Sequence, residues 1–227
     1  SDYAWTPDWE LPDERIDKWY HNMATVKEAG IGAATFQIDY DEEVAFYAKR
    51  RIFDYARDDD QPFCMVASFI HPHDPYVARQ EWWDLYDSND IDMPALVLAP
   101  EEHDGFSRRV MDGIEASTVP LTEAEVRKAR HAYYANVSYF DSKVGEMVQA
   151  ITEAGMLDET IFIVTADHGE EFREHGNLGH RNPLYEHQLR VPLLIVWPGH
   201  IPPQRVQTPV SLVDVLPTVV ELVTGAA

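Results

Sequence analysis

The spacing of apolar residues along the chain predicts several amphipathic helices. From Asp13 to Ala29 they recur at three- and four-residue steps and stop before Gly30, which is typical of a helix with a glycine C-cap. The segment Glu42 to Ala56 repeats this pattern. A capping box of Thr122 and Glu125 predicts a long helix that runs to Gly155, and residues 87–120 are expected to be surface connections with a short helix.

Short apolar runs predict strands between these helices. Residues 62–70 (PFCMVASFI), 160–165 (TIFIVT) and 191–197 (VPLLIVW) are bounded by turn residues, and we expect the last two to be central and parallel. A last helix is expected from Asp214 to Gly225. Strands separated by helices indicate an α/β fold, a central mostly parallel sheet sandwiched by helices. Ligands gather at the carboxyl ends of strands in such folds, and both histidine-rich motifs follow a predicted strand.

Composition narrows the function classes. The 227 residues are 45% hydrophobic and carry a net charge of −22, which is typical of a globular protein whose surface repels nucleic acid and anionic membranes. We expect no segment that spans or targets a membrane. The single cysteine, Cys64, excludes an internal disulfide and is interpreted as a buried small hydrophobe. Residue 1 is serine, which leaves open that the chain is part of a longer protein.

Asp167 and His168 follow the strand at 160–165 directly. An aspartate oxygen and an imidazole nitrogen suit half of a divalent-cation site, although a hydrogen-bonded structural pair explains the same two residues. The acidic residues that follow, with His175, are interpreted as a solvated loop; they are Glu170, Glu171 and Glu174.

The second histidine-rich motif is HPHDPY at 71–76, in which two prolines stiffen the backbone around His73. A fixed imidazole can protonate a leaving oxygen or bind an anion, but a turn histidine can equally be structural. His180 lies 13 residues after Asp167 and can return over the same site. Trp5 and Trp9 suit either core packing or a cation–π pocket for a quaternary ammonium.

These motifs resemble a type I sulfatase of the alkaline phosphatase superfamily, and within it the choline-sulfatase branch. The matching segments are WYHNM at 19–23, DYDEEVAF at 39–46, SFIHPHDPY at 68–76, AYYANVSYFDSKVG at 132–145, TADHGEE at 165–171, LYEHQLRVPLLIVWPG at 184–199 and SLVDVLPTVVEL at 211–222. The resemblance implies an alkaline phosphatase-like fold, with residues 1–227 as an incomplete, middle-to-late portion of a single catalytic domain.

The resemblance also implies roles for individual residues. His73 and His180 would be catalytic, Asp167 and His168 would bind a divalent metal, expected to be calcium with manganese or zinc as alternatives, and three residues would line a substrate pocket. Those three are Trp5, His21 and Asn22. The implied substrate is a small-molecule sulfate ester such as choline-O-sulfate, the implied location is cytoplasmic, and a homo-oligomer is left open.

The family's nucleophile is a formylglycine made in a C/S-x-P-x-R motif, and no such motif occurs in the 227 residues. The resemblance therefore places the formylglycine upstream of residue 1, and we expect this portion alone to be inactive. Two other functions stay open: a phosphodiester or phosphonate monoester hydrolase of the same superfamily, and a non-catalytic binding module.

Overall fold

The computed structural model describes residues 24–58, 62–113, 119–176, 178–180 and 185–225. The α-helices are α1 (Ala24–Lys27), α2 (Phe36–Arg57), α3 (Gln80–Trp83), α4 (Gly105–Gly113), α5 (Glu123–Glu153), α6 (Glu186–Leu189) and α7 (Val215–Thr224). The strands are β1 (Gly30–Ile31), β2 (Val77–Ala78), β3 (Phe162–Thr165), β4 (Glu171–Phe172), β5 (Leu178–Gly179) and β6 (Leu193–Val196). The mixed α/β class is confirmed.

Helix α5 is the central element, and its predicted capping box is present. The Thr122 hydroxyl accepts from the Glu125 backbone N–H, and the Glu125 carboxylate accepts from the Thr122 N–H in return. Helix α2 confirms the second predicted helix and extends it to Thr35, whose hydroxyl accepts from the Ile38 N–H at 3.1 Å. These side chains satisfy backbone donors that a helix N-terminus otherwise leaves without partners.

Alanines bring α2 and α5 close together. The shared core contains Ala45, Ala48 and Ile52 from α2 and Ala150 and Ile151 from α5, all buried. Small side chains allow two helix backbones to approach, so the interface excludes water with few large residues. A second cluster packs the first half of α5 against Tyr76, the last residue of the HPHDPY motif, and against Phe172 of β4.

One buried lysine fixes the position of α2 along α5. Lys143 Nζ lies 2.9 Å from a Glu42 oxygen and 2.8 Å from a Glu146 oxygen, and only 7% of its side chain is exposed. Burial opposes the charged lysine, but the two carboxylates outweigh it and raise its pKa. The pair of Lys143 with Glu42 therefore links α5 to α2, which carries the residues that support the site described below.

The pairing of the two predicted central strands differs from expectation. β3 and β6 are antiparallel, with Phe162 opposite Val196 and Thr165 opposite Leu193. The prediction that this pair is parallel is wrong. Amino-acid composition identifies a strand but not its direction, and the connection between β3 and β6 brings the chain back so that β6 runs antiparallel beside β3. A parallel pair does occur between β1 and β2, where Gly30 lies opposite Val77.

Residues 62–70 do not form the predicted hydrogen-bonded strand. Their burial nevertheless alternates: Phe63, Met65, Ala67 and Phe69 pack against the core of α2 and α5, while the residues between them point away. Cys64 belongs to the outward set and is exposed, so its interpretation as a buried hydrophobe is wrong. The period of two is that of an extended segment with one covered face.

The remaining predicted elements are present in part. The short helix expected within residues 87–120 is α4. Helix α7 ends as predicted at Gly225, whose φ of 66° is a left-handed conformation suited to glycine, but its apolar residues Leu216 and Val223 are exposed. Of the helix predicted over 13–29, only the stretch after residue 23 lies within the described residues, as α1. No helix in the described ranges is long and apolar enough to cross a bilayer.

Candidate active site

Two loops bring three histidines together at one edge of the fold. His73 comes from the turn that follows residues 62–70, and His168 and His180 come from the connection after β3. The ring centroids of His73 and His180 are 4.7 Å apart, and the His168 ring stacks on His180 at 4.1 Å with 23° between the planes. The structure therefore places both histidine-rich motifs in one site.

Side chains of helix α2 form hydrogen bonds with the turn that carries His73. Asp41 is fully buried, and its carboxylate accepts from the backbone N–H groups of Ile70 at 2.7 Å and His71 at 3.1 Å. The same carboxylate lies 2.6 Å from the buried His71 Nδ1. The Gln37 amide donates to the Asp74 carbonyl at 2.6 Å. Four hydrogen bonds from two adjacent helical turns thus fix the backbone on both sides of His73.

The charge on His73 is set by its neighbours. Its Nδ1 lies 2.6 Å from the Asp74 carbonyl oxygen and 3.1 Å from the Asp74 carboxylate. Burial works against the charged ring, but these contacts with Asp74 and the nearby Glu170 carboxylate outweigh it, so the pKa of His73 is raised. The imidazolium form therefore persists to higher pH than that of an ordinary histidine.

Glu170 supports His180 from the opposite side. Both Glu170 oxygens lie 3.3 Å from His180 Nδ1, and only 5% of the Glu170 side chain is exposed. Burial and then the Glu170 charge raise the pKa of the phenol of Tyr133 to about 12 and that of Tyr76 well above its usual value. Both phenols therefore stay neutral near Glu170. The interpretation of Glu170 as part of a solvated loop is wrong.

The next acidic residues are also enclosed. Glu171 is fully buried, and a Glu174 oxygen lies 2.7 Å from Arg130, which also binds Asp92 at 2.5 Å. The solvated-loop interpretation is therefore wrong for these carboxylates, because α5 reaches under the loop with an arginine. His175 is partly buried, and burial followed by the nearby His187 charge lowers its pKa.

Asp167 and His168 lie in the open part of the site. The Asp167 side chain is 87% exposed, and its carboxylate accepts from the His168 backbone N–H at 3.0 Å. His168 Nδ1 lies 3.0 Å from the Gly169 carbonyl, which leaves Nε2 on the other side of the ring. Carboxylate oxygen and imidazole nitrogen are suitable donors for a divalent cation, so the pair fits half of a metal site.

Two ligands are too few for a complete site. Among the described residues, the groups of three potential ligands within 4.8 Å of one another are His73, Asp74 and His180, and separately Glu171, His175 and His187. Asp167 and His168 belong to neither group, so further ligands for them would have to come from elsewhere in the protein.

Gly169 explains how the His168 loop keeps its position. Its N–H donates to the Gln188 carbonyl at 2.7 Å, and a Cβ at Gly169 would lie 1.9 Å from the His187 carbonyl oxygen. Only glycine permits this approach of two backbones. The loop therefore packs closely against α6, and His168 stays stacked on His180.

The predicted pocket residues Trp5, His21 and Asn22 lie outside the described residues. Conversely, sequence reasoning missed Asp41, Asp74 and Glu170 as supports of the histidines. For Glu170 a signal existed, because two adjacent glutamates that enter a strand point to opposite sides and at least one must face the protein. For Asp41 the sequence offered none, since an aspartate on a helix is usually solvated.

Comparisons with known proteins identify the family of this chain. The family model described as "Sulfatase" matches residues 11–226. The choline-sulfatase of Rhizobium meliloti is 43% identical over 98% of this chain and 44% of its own length. A multifunctional alkaline phosphatase superfamily protein, PehA of Trinickia caryophylli, is 28% identical over 95% of this chain and 45% of its own length.

A solved structure agrees with the fold. The phosphonate monoester hydrolase of Silicibacter pomeroyi superposes with a TM-score of 0.67 at 25% identity, over 79% of this chain and 37% of that one. The chain thus spans less than half the length of these relatives. Its architecture is the alkaline phosphatase-like fold that the motifs implied, and the chain belongs to the sulfatase family.

Proposed function

We propose that the protein containing this chain hydrolyses sulfate monoesters, with choline-O-sulfate as the first substrate to test. The observation that carries the proposal is the meeting of His73, His168 and His180 beside Asp167, in a chain that is 43% identical to a choline-sulfatase over 98% of its length. Histidines and a half metal site in one place suit a reaction that binds an oxyanion and protonates a leaving oxygen.

His73 is the proposed general acid. Its pKa is raised, so a proton is available near neutral pH, and the Nδ1 contact with Asp74 fixes the ring so that Nε2 would deliver the proton. The leaving alkoxide takes up that proton as the sulfur–oxygen bond breaks. Until that transfer, the charges of Asp74 and Glu170 stabilise the imidazolium, so His73 keeps its proton until the leaving oxygen accepts it.

His180 is the proposed contact for the sulfate oxygens. Glu170 accepts from its Nδ1 and orients the ring, so the second ring nitrogen would face the substrate. The stacked His168 ring limits how far His180 can rotate. This pair therefore presents a preset hydrogen-bond donor, which stabilises developing negative charge without reorganisation.

Asp167 and His168 are the proposed metal ligands supplied by this chain. A bound calcium ion, or manganese or zinc in its place, would neutralise sulfate charge and polarise the ester. The exposure of Asp167 agrees with a ligand whose ion and remaining partners lie outside the described residues.

The 227 residues do not supply the nucleophile of the proposed reaction. The 227 residues contain no C/S-x-P-x-R motif, and Cys64 lies in the sequence FCMVA, so the residues present do not fit a formylglycine. A formylglycine upstream of residue 1 remains part of the proposal, with residues 1–227 as a middle-to-late portion of one catalytic domain and inactive alone. We assign no reaction step to it.

The choline specificity would come from the N-terminal stretch. Trp5, His21 and Asn22 would line a pocket for the quaternary ammonium, since aromatic faces attract such cations by about 0.5–2 kcal/mol. Trp5→Ala should therefore raise the KM for choline-O-sulfate roughly 3- to 30-fold and leave an aryl sulfate unaffected. An equal effect on both substrates would make Trp5 a packing residue. A cytoplasmic location for this small-molecule reaction is a further part of the proposal.

A second candidate is hydrolysis of phosphonate monoesters or phosphodiesters, favoured by the likeness to a phosphonate monoester hydrolase at a TM-score of 0.67. Phosphorus and sulfur esters present similar tetrahedral oxyanions, so the histidines suit both. The metal discriminates, because transition metals rather than calcium are expected for the phosphorus substrates.

The test is a turnover comparison on the intact protein, with choline-O-sulfate, an aryl sulfate and an aryl phosphonate, and with the bound metal quantified. We expect sulfate release to be the fastest reaction and to be lost in His73→Gln but kept in the control His200→Gln, whose histidine is exposed and stacks on Trp197. Faster phosphonate cleavage would favour the second candidate. No turnover of any ester by metal-loaded protein would favour a binding module.

A further inference from the structure

A second cluster of metal-binding side chains lies beside the proposed active site. Glu171, His175 and His187 place one ligand atom each within 4.8 Å of the other two. His175 Nδ1 is 3.8 Å from the fully buried carboxylate of Glu171, and the His175 and His187 rings are 5.6 Å apart. None of these residues has a part in the reaction proposed above.

A third histidine, His103, points to a ligand at the same place. His103 is 95% buried, since only 5% of its surface is exposed, and neither ring nitrogen has a hydrogen-bond partner among the described residues. Its Nε2 lies 3.2 Å from the position that a Cβ on Gly176 would occupy, directly after His175. A buried imidazole without partners is costly, and a metal ion would satisfy one of its nitrogens.

The cluster faces away from the first site. Glu170 directly precedes β4 and Glu171 is its first residue, and the two side chains contact different histidines. Glu170 meets His180, whereas Glu171 meets His175. The Tyr185 ring stacks on His175 at 3.8 Å and closes one side of the cluster.

The backbone around the cluster joins separate segments. The His175 N–H donates to the Leu96 carbonyl at 2.8 Å, which brings the segment that carries His103 against the Glu174–Gly176 turn. His175 has a φ of 57°, a left-handed conformation uncommon for a residue with a side chain. His187 comes from α6, whose backbone touches Gly169.

We propose that Glu171, His175 and His187 bind a transition-metal ion, with His103 as a fourth ligand. Imidazole nitrogens with one carboxylate suit Zn²⁺ or Co²⁺, whereas Ca²⁺ requires more oxygen ligands than this cluster offers. The ligand atoms of Glu171, His175 and His187 lie within 4.8 Å of one another, compared with about 3.4 Å between ligands of a tetrahedral zinc ion, so these three side chains would have to move closer together on binding. The ion would join α6, β4 and the segment of His103 behind the catalytic histidines, and its role would be structural.

The test uses Co²⁺ as the probe, because tetrahedral Co²⁺ absorbs visible light strongly. The intact protein is stripped with a chelator and titrated with Co²⁺ alone, in wild-type form and as His187→Ala, Asp167→Ala and His200→Ala. His187 and His200 are both exposed histidines, so neither substitution should unfold the protein, and His200 is the matched control.

We expect one tetrahedral Co²⁺ signal in the wild type, unchanged in Asp167→Ala and His200→Ala and weakened at least tenfold in affinity in His187→Ala. Zn²⁺ should displace the Co²⁺ and raise the melting temperature of the wild type by a few degrees, but not that of His187→Ala. Equal Co²⁺ affinity in wild type and His187→Ala would overturn the proposal. So would a signal that disappears in Asp167→Ala, because the ion would then belong to the first site.

Discussion

The two loops of the proposed active site are built very differently. The turn that carries His73 is held by buried hydrogen bonds from Asp41 and Gln37, whereas the loop of Asp167 and His168 leaves the aspartate 87% exposed. Residues of this chain thus position His73, the proposed acid. The metal half-site of Asp167 and His168 would need further ligands. In the proposed function, the residues that position the proton donor are therefore present in this chain, whereas the metal site needs further ligands.

The largest effect on turnover is expected from a substitution in the metal half-site. Asp167→Ala in the intact protein removes a proposed ligand of the active-site metal, and we expect loss of that ion together with roughly 10⁴-fold of turnover, since a metal supplies several kcal/mol of charge stabilisation. Metal content and sulfate release are measured on the same preparation. Full metal content in Asp167→Ala would remove this residue from the ligand set.

His73→Ala tests the proposed proton donor. General acids contribute about 10²–10⁴-fold, so we expect turnover to fall in that range while the bound metal and the fold are retained. The substrate matters for the reading, because an aryl sulfate with a good leaving group needs protonation less and should lose less than an alkyl sulfate. Equal losses on both substrates would indicate that His73 binds the substrate without donating a proton.

Asp41→Ala tests whether the His73 turn depends on its support. It removes three hydrogen bonds and leaves His71 buried without its carboxylate, which should lower the free energy of unfolding by about 3 kcal/mol. The control is Asp39→Ala on the exposed side of the same helix, which should change stability by less than about 0.5 kcal/mol. Denaturant unfolding of both variants measures the difference, and similar stabilities would refute the role given to Asp41.

The smallest effect is a shift in pH dependence. If His73 is the general acid, as proposed, its protonated form is the active one, so turnover should be present below its raised pKa and decline as pH rises through it. Asp74→Asn removes the nearest charge that raises this pKa, so the alkaline limb of the pH profile should move to lower pH. A limb that stays in place, or moves to higher pH, would show that another group controls it.

Much of the helical framework was predictable because its signals are local. The Thr122 and Glu125 capping box and the terminal glycine Gly225 specify helix ends with a few adjacent residues, and α5 and α7 end where these predict. The motifs HPHDPY and TADHGEE contain His73 and His168, and His180 was proposed from its position 13 residues after Asp167; the structure brings these three rings together.

What could not be predicted depends on distant neighbours. The direction of β6 against β3, and the finding that residues 62–70 pair with no strand among the described residues, are properties of pairing, which the residues of one segment do not encode. The burial of Glu170 and Glu171 likewise follows from α5 and the His180 loop passing close by, so charge alone suggested a solvated loop.

The most direct test of the proposal is sulfate release from choline-O-sulfate by the intact, metal-loaded protein, measured in parallel for wild type and His73→Ala. The account predicts steady release by the wild type and a loss of at least about 10²-fold in His73→Ala, with metal content and melting temperature unchanged. Equal release by the two proteins would contradict it, because the turn that the fold positions most firmly would then have no part in the reaction.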